Sequence, residues 1–489
     1  MAAIITEKFR THNAKQFKED FGESASSTYI FIGRSHPWTD DTSPPVPING
    51  TSEEMDSFSD MLSMKKVSTA DVSHALTRYD WTTGTNYDEY AHDYSSSNTS
   101  PGTTANNLFS AKFFVLTDDY NVYKCIRTGR NSSGVVVAST VKPTGTSATA
   151  LVYTSDTGAS EGYIWKYMYT VSAADTIKYV TSDFIPVKTL GAKTAVSGTG
   201  TNGQLGSSAD NDSSSLWDVE NSATAGAIYH VRVDNGGSGY TPGTYTSVPI
   251  DGDGSSATCS VTVGAGGAIT SVGVTTSAYG SGYNRASIEV SNSNISGIGS
   301  GSSAVLTPII SPMNGHGADP VEELGGNYVI VNSRFEFNEG SGDFPTDNDF
   351  RRIGLLQDPF SAGTTTVATA TTLGAYYKMT LSSVSGLSVD DTILSASADG
   401  DGVAVSRIIS ITGSVVSHQP IANSGGGYVN FAQNDTVYKG GATIGNADTI
   451  DSTFPEVERF TGNILYVENR GAVTRAADQI EDIKLIIEM

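Results

Sequence analysis

A short pattern that occurs twice constrains this chain most. Gly236-Gly237-Ser238-Gly239-Tyr240 recurs as Tyr279-Gly280-Ser281-Gly282-Tyr283. Val-x-Val runs precede the two copies, at residues 231–233 and 272–274. Each copy is followed by a Gly-Ser-Ser-Ala tetrapeptide, at 254–257 and 301–304, and then by another apolar run. Glycine supplies positive-φ turns and a tyrosine can fold back over such a turn, so each copy reads as a small β-hairpin module. A weaker echo, Gly425-Gly426-Gly427-Tyr428, lies much later. Two copies fall short of the roughly three that a solenoid needs, so a compact inserted β domain is expected. With 52 glycines in 489 residues, a helical bundle or coiled coil is disfavoured, because those need Ala, Leu, Glu and Lys at helical periods.

The charge balance narrows the partners. The chain carries 29 Lys and Arg against 52 Asp and Glu, a net −23, yet only 17% of its residues are charged. Such a chain repels a phosphate backbone, and no Lys/Arg cluster forms a basic stripe, so nucleic acid is not an expected partner. No stretch approaches the ~18 uninterrupted apolar residues of a membrane span. The N-terminus reaches Glu7 and Lys8 too early for a signal-peptide core. Cys125 and Cys259 are too few for a disulfide scaffold or a metal cluster. They are expected as two buried, unpaired thiols in a soluble protein folded in a reducing cytosol. The 23 Tyr and 17 Phe supply cores and argue against wholesale disorder.

Length allows about three domains, or one elaborated β domain with insertions. Helical spacing of Ala14, Phe17 and Phe21 predicts a helix over 11–22. Thr51-Ser52-Glu53-Glu54 reads as a capping box, with Thr51 and Glu54 satisfying each other's backbone donors. Met55, Phe58, Met61 and Leu62 would form one face of that helix, and Lys65 and Lys66 would sit at its negative end. Strands are expected at 29–32, 112–116, 120–126, 163–171, 184–190, 464–467 and 483–487. In 163–169 the aromatics alternate with residues that include Lys166, which predicts one packed face and one partly wet face. Composition shifts give five segments. Residues 1–190 are the first part of a core and 191–312 an inserted Gly-Tyr module. Residues 313–361 return to the core, 362–450 form a second inserted β segment, and 451–489 supply closing core strands.

No catalytic constellation emerges. Asp251-Gly252-Asp253-Gly254 and Asp399-Gly400-Asp401-Gly402 lack the ligand spacing and closing Glu of an EF-hand and read as turns. The seven histidines include no i, i+4 pair for zinc. Gly33-Arg34-Ser35-His36 is not a nucleophile elbow, and the Gly-x-Gly runs lead into no helix. Acid pairs such as Asp118-Asp119, Glu322-Glu323 and Asp390-Asp391 read as solvated faces. No enzyme activity, cofactor or metal is expected.

Several stretches are more particular. They include Phe9-Arg10-Thr11, Ile30-Phe31-Ile32-Gly33-Arg34-Ser35-His36-Pro37-Trp38 and Arg78-Tyr79-Asp80-Trp81. Further on come Val122-Tyr123-Lys124-Cys125, Gly162-Tyr163-Ile164-Trp165-Lys166-Tyr167 and His316-Gly317-Ala318-Asp319-Pro320. Ile464-Leu465-Tyr466-Val467-Glu468-Asn469-Arg470 and Asp478-Gln479-Ile480-Glu481-Asp482-Ile483 close the set. In that order they resemble the dimer-forming baseplate wedge subunit of T-even-type contractile-tailed bacteriophages. The stretch from His316 is similar to versions in marine and cyanobacterial relatives, here with two extra insertions. The resemblance spans about residues 1–190, 311–361 and 451–489.

It implies a mainly β fold: a layered β-sandwich with short helices in loops. It also implies a structural role in the virion tail baseplate after assembly in the host cytoplasm, as a homodimer bound to other baseplate wedge proteins. Arg34, Trp38, Trp81 and Arg470 are the candidate subunit contacts, because aromatic and Arg side chains concentrate interface energy. The tryptophans packing in the chain's own core is the competing reading. The alternative function is carbohydrate binding or adhesion, with exposed tyrosines of the Gly-Tyr modules stacking on sugars.

Overall fold

The computed structural model describes the chain apart from residues 1–3, 132–134, 155–160, 190–212, 337–344, 347 and 476–479. The opening of the segment expected from residue 191, and the Asp478-Gln479 pair, therefore lie outside the described residues. The protein is mainly β, built from several antiparallel sheets with short helices between strands. It divides into two compact units, one of residues 1–15, 73–329 and 487–489, the other of 16–72 and 330–486.

In the first unit, Phe114–Leu116, Asn121–Arg127, Ile164–Thr170 and Val152–Tyr153 form a four-stranded antiparallel sheet. The aromatic alternation of the third strand does not yield a wet face. Six of its seven residues are buried, Lys166 among them, and the Lys166 Nζ is satisfied by donating to the Ala148 carbonyl at 2.9 Å. Helix Ser213–Ser222 packs on this sheet, with Val219 beside Trp165 and Tyr167. Leu216 and Ile309, from either side of the Gly-Tyr segments, join the neighbouring cluster of Leu76, Phe114 and Met168.

A second polar group is buried here. Lys124 is fully buried and pairs with Glu323 while meeting His316 Nδ1 at 2.8 Å. The Lys124 ammonium also lies 3.8 Å from the Tyr90 ring centroid, and Glu323 accepts from the Gly317 backbone N–H at 2.6 Å. Burial alone would raise the Glu323 carboxyl, but Lys124 and His316 hold it down to about 2. The His316-to-Pro320 motif is thereby a structural pin. It tethers helix Pro320–Leu324, capped by Asp319, to strand Asn121–Arg127.

The repeated Gly-Tyr segments are not hairpin turns. Strand Ile228–Ser238 runs through the first copy and pairs with Ser302–Ile310, so Ser238 faces Ser302 and Gly236 faces Ala304. Strand Ile269–Ser281 enters the second copy and pairs with Ser255–Val263, with Ser281 opposite Ser255 and Tyr279 opposite Ala257. Each glycine-tyrosine copy is thus matched with one Gly-Ser-Ser-Ala, the first with the one at 301–304 and the second with the one at 254–257. The backbone repeats too: Gly237 and Gly280 have φ of 63° and 61°, and Ser303 and Ser256 both have 68°. Tyr240 lies over Gly301 and Tyr283 over Gly254, where a Cβ would overlap the ring. Both tyrosines are therefore buried, at 4% and 3% exposure. They are not the exposed sugar platforms the alternative reading requires. Ile228, Val261, Cys259 and Leu306 complete their cluster. Cys259 and Cys125 are buried free thiols, and burial pushes Cys259 up to about 12.

In the second unit, Thr372–Gly374, Met61–Lys66, Thr28–Gly33, Asn348–Gln357 and Asn463–Arg475 form a five-stranded antiparallel sheet in that order. Helix Thr51–Asp60 stops where the sheet claims the chain. Met61 and Leu62 start a strand whose Met64 pairs with Phe31, so the expected helical face is cut short. Lys65 is consequently no helix-end charge; its Nζ donates to the Arg334 carbonyl at 2.6 Å. The expected capping box is also absent. Gly50 is the N-cap and Thr51 is already helical, so no side-chain cap bond forms. Residues 377–450 close into a six-stranded barrel around Met379, Ile393, Ile408, Val416 and Val437. The barrel also buries His418, which meets Ser406 Oγ at 3.0 Å.

The tyrosine-over-glycine contacts predict a specific sensitivity. Gly301→Ala and Gly254→Ala should each destabilise by about 1–3 kcal/mol through overpacking. Adding Tyr240→Ala to Gly301→Ala should recover part of the loss, and denaturant unfolding of the single and double variants reads that coupling.

Three buried histidines predict acid sensitivity. Burial drives His316 and His418 down to about 3, and His230 to about 4 despite the opposing pull of Glu89. The unfolded chain protonates these groups near their ordinary value, so it binds more protons than the folded chain between there and about pH 4. Stability should accordingly fall as pH falls through that window, by up to about 1.4 kcal/mol per pH unit for each histidine. Urea midpoints taken from neutral pH down to about pH 5 check this, and His418→Gln should make the decline shallower.

Candidate subunit-contact site

Strand Thr28–Gly33 ends beside the last turn of helix Thr51–Asp60, and the site is built there. The Arg34 backbone N–H donates to the Asp60 carbonyl at 2.7 Å, and Gly33 has no room for a side chain against that same carbonyl. Arg34 adopts φ 59°, a left-handed conformation uncommon for a non-glycine residue. Its guanidinium carbon then lies 3.6 Å from the centroid of the Trp38 ring. The Trp38 Nε1–H donates to the Arg470 carbonyl at 2.9 Å, on the outermost strand of the five-stranded sheet. Three of the four residues singled out in the sequence thus come together.

Beneath them sits a buried ion cluster. Asp60 Oδ2 lies 3.3 Å from Arg34 Nη1 and 3.1 Å from Arg352 Nη1. Arg352 also reaches Glu53 at 2.5 Å, Asn469 Oδ1 at 2.9 Å and Ser57 Oγ at 3.2 Å. Burial raises the Asp60 carboxyl above its ordinary range, and Arg352 and Arg34 pull it back. Arg351, the next residue along, binds Asp41 and Asp349 and donates to the Ser35 carbonyl at 2.7 Å. From the barrel, Gln419 accepts from Ser35 N and Oγ and donates to the Asp60 carbonyl. His36, surrounded by Arg34, Arg407, Arg351 and Arg352, is driven down to about 3 by burial and those charges. It is neutral at physiological pH.

The loop after Trp38 starts polar, at Thr39 to Ser43, and then exposes two apolar side chains. Asn469 Nδ2 donates to the Pro45 carbonyl at 3.1 Å, which holds the loop beside Arg470. Val46 and Ile48 are then 83% and 74% exposed, and Met55 protrudes from the following helix. Arg470 itself is exposed and paired with Glu468 at 3.1 Å.

Trp81 does not join this site. It lies in the other unit, half-buried against the cluster containing Tyr87 and Trp165, with its Nε1–H donated to Ser139 Oγ at 3.2 Å. Sequence reasoning missed Asp60, Arg352, Glu53 and Gln419. A signal existed in Phe350-Arg351-Arg352-Ile353, where two cations interrupt an apolar strand and so demand buried partners. Nothing in the sequence pairs Gln419 with Asp60.

These features define a β-rich protein with an arginine-stacked tryptophan at one sheet edge, and among the described residues no His, Cys, Asp and Glu cluster could hold a metal. Residues 3–141 match the Phage-Gp8 family model, described as bacteriophage T4 Gp8, and the match supports a T4-type baseplate wedge subunit. No curated protein matches the chain. The matched range contains Arg34, Trp38 and Trp81, whereas the Gly-Tyr segments and the barrel lie outside it.

Removing one partner from the buried cluster leaves an uncompensated charge. Arg352→Met should therefore destabilise by about 3–5 kcal/mol. Equilibrium unfolding checks the magnitude, and the effect should shrink when Asp60→Asn is combined with it.

Proposed function

We propose that this protein is a structural subunit of a contractile phage-tail baseplate. In this reading it holds neighbouring wedge proteins together through the Arg34–Trp38–Arg470 face. It assembles in the host cytoplasm as a homodimer and persists in the virion tail. The observation that carries the reading is the placement of exposed Val46 and Ile48 beside an arginine-stacked tryptophan, all anchored on a buried ion cluster. Side chains locked in this way lose little entropy on docking, which is what a contact surface needs. The family match supports the same role. The barrel of residues 377–450 then reads as an elaboration of the wedge core, because its first and last strands pair at Met379 and Ile450 and its ends emerge together.

Stable association requires about 1,200 Å² of total buried surface or more. Val46→Asp combined with Ile48→Asp puts two charges on that surface at exposed side chains; Ile48 meets the buried cluster only through its backbone N–H, which faces Glu53 at 3.5 Å. The pair should abolish capture of co-expressed wedge proteins and leave thermal stability within about 0.5 kcal/mol of the parent. Light scattering should report a dimer for the parent chain. A strictly monomeric protein with no affinity for co-expressed baseplate proteins would overturn the reading.

A further inference from the structure

The first unit contains a cleft of about 750 Å³ that the contact face does not explain. Its floor is polar and buried. Glu89, 1% exposed on its side chain, accepts from Thr128 N and Oγ1, both at 3.0 Å, and from Arg130 Nη2 at 3.2 Å. Arg232, on one wall, is occupied by Asp93 at 2.7 Å and Asp234 at 2.6 Å. The acids around the cleft are therefore already matched with cations.

Arg127 is different. It lines the same cleft, and its Nε and Nη2 both donate to one neutral acceptor, the Gly162 carbonyl, at 3.1 and 3.0 Å. Among the described residues it has no ion pair, and its Nη1 has no hydrogen-bond partner. Burial pulls its basicity below the usual arginine range, against the opposing charge of Glu89, which is itself paired with Arg130. Beside it on the floor, His230 is buried and its Nε2 makes no hydrogen bond, lying 3.9 Å from Glu89. A guanidinium held partly out of water with no ion pair of its own costs free energy that an incoming anion would offset, and a guanidinium edge suits carboxylate or phosphate geometry. The cleft volume falls within the ~300–1,000 Å³ of small-ligand sites.

We propose that this cleft binds a small ligand carrying a carboxylate or phosphate group, seated on the Arg127 guanidinium. Ser271 on the exposed wall offers a hydroxyl to the polar body of such a ligand, beside Thr270, whose own hydroxyl donates to the Thr262 carbonyl at 3.3 Å.

Calorimetric titration of the full-length protein at low ionic strength, with inorganic phosphate and with citrate in separate runs, tests this. At least one should bind saturably, and the one that binds identifies the anion class. Arg127→Gln should weaken that binding by about tenfold or more, the worth of a charged hydrogen bond. Because Arg127 also holds the Gly162 carbonyl, Thr270→Glu provides a second route. It places a negative charge on the exposed wall and should weaken the same anion while Thr270→Gln does not. The proposal is overturned if neither anion binds, or if binding is unchanged in both Arg127→Gln and Thr270→Glu. It is equally overturned if an acidic peptide binds while phosphate and citrate do not.

Discussion

A charge withdrawn from water must be met by an opposite charge and hydrogen bonds, and each unit of this protein buries such groups where its elements meet. In the second unit one is Asp60, held between Arg34 and Arg352 at the point where a helix gives way to a strand. Another, in the first, is Glu323, held by Lys124 and the Gly317 backbone N–H. Buried ion pairs are a poor source of net stability, since desolvation cancels much of the attraction. What they impose is uniqueness. A register slip in strand Asn348–Gln357 would move Arg352 away from Asp60 and strand both charges, so alternatives to the observed pairing carry a heavy penalty.

That constraint also prepares the outer surface. Trp38 is stacked against the Arg34 guanidinium and tied to the Arg470 carbonyl, and Arg34 is itself tied to Asp60. The exposed face thus inherits its order from the buried pair beneath it. Aromatic and arginine side chains dominate interface energetics when they are preorganised in this way. Around His36 the cations Arg34, Arg351, Arg352 and Arg407 are each matched by acids, among them Asp60, Asp41, Glu53 and Asp390, so the cluster beneath the face is internally neutralised.

Much of this was legible from residues alone, for physical reasons that can be named. Runs such as Ile30-Phe31-Ile32 and Val122-Tyr123 carry β-branched and aromatic side chains that fit a pleated surface, and they are strands within a residue or two of expectation. Met61 and Leu62 were misplaced because helical spacing and a half-buried strand are hard to tell apart over so few residues. The deciding term is pairing with Thr28–Gly33, which lies outside any local window. The Lys166 face reads as partly wet because a lysine signals solvent, yet a single carbonyl within reach lets its ammonium be buried. At the site, Arg34, Trp38 and Arg470 stood out as residue types, but Asp60 and Gln419 did not. Their roles exist only through contacts between segments hundreds of positions apart.

The cross-matching of the two Gly-Tyr copies bears on the order in which the chain can acquire structure. Ser255–Val263 and Ile269–Ser281 are neighbours in sequence and can close as a hairpin with little loop entropy to overcome. Ile228–Ser238 is made earlier but cannot pair until Ser302–Ile310 has followed. During synthesis the older strand therefore waits with its edge open while the younger hairpin forms, and Tyr240 stays uncovered until Gly301 arrives beneath it. Non-local pairing of this kind slows folding and prolongs the exposure of an unpaired edge. The interval ends only when the last strand of the segment arrives to cover that edge.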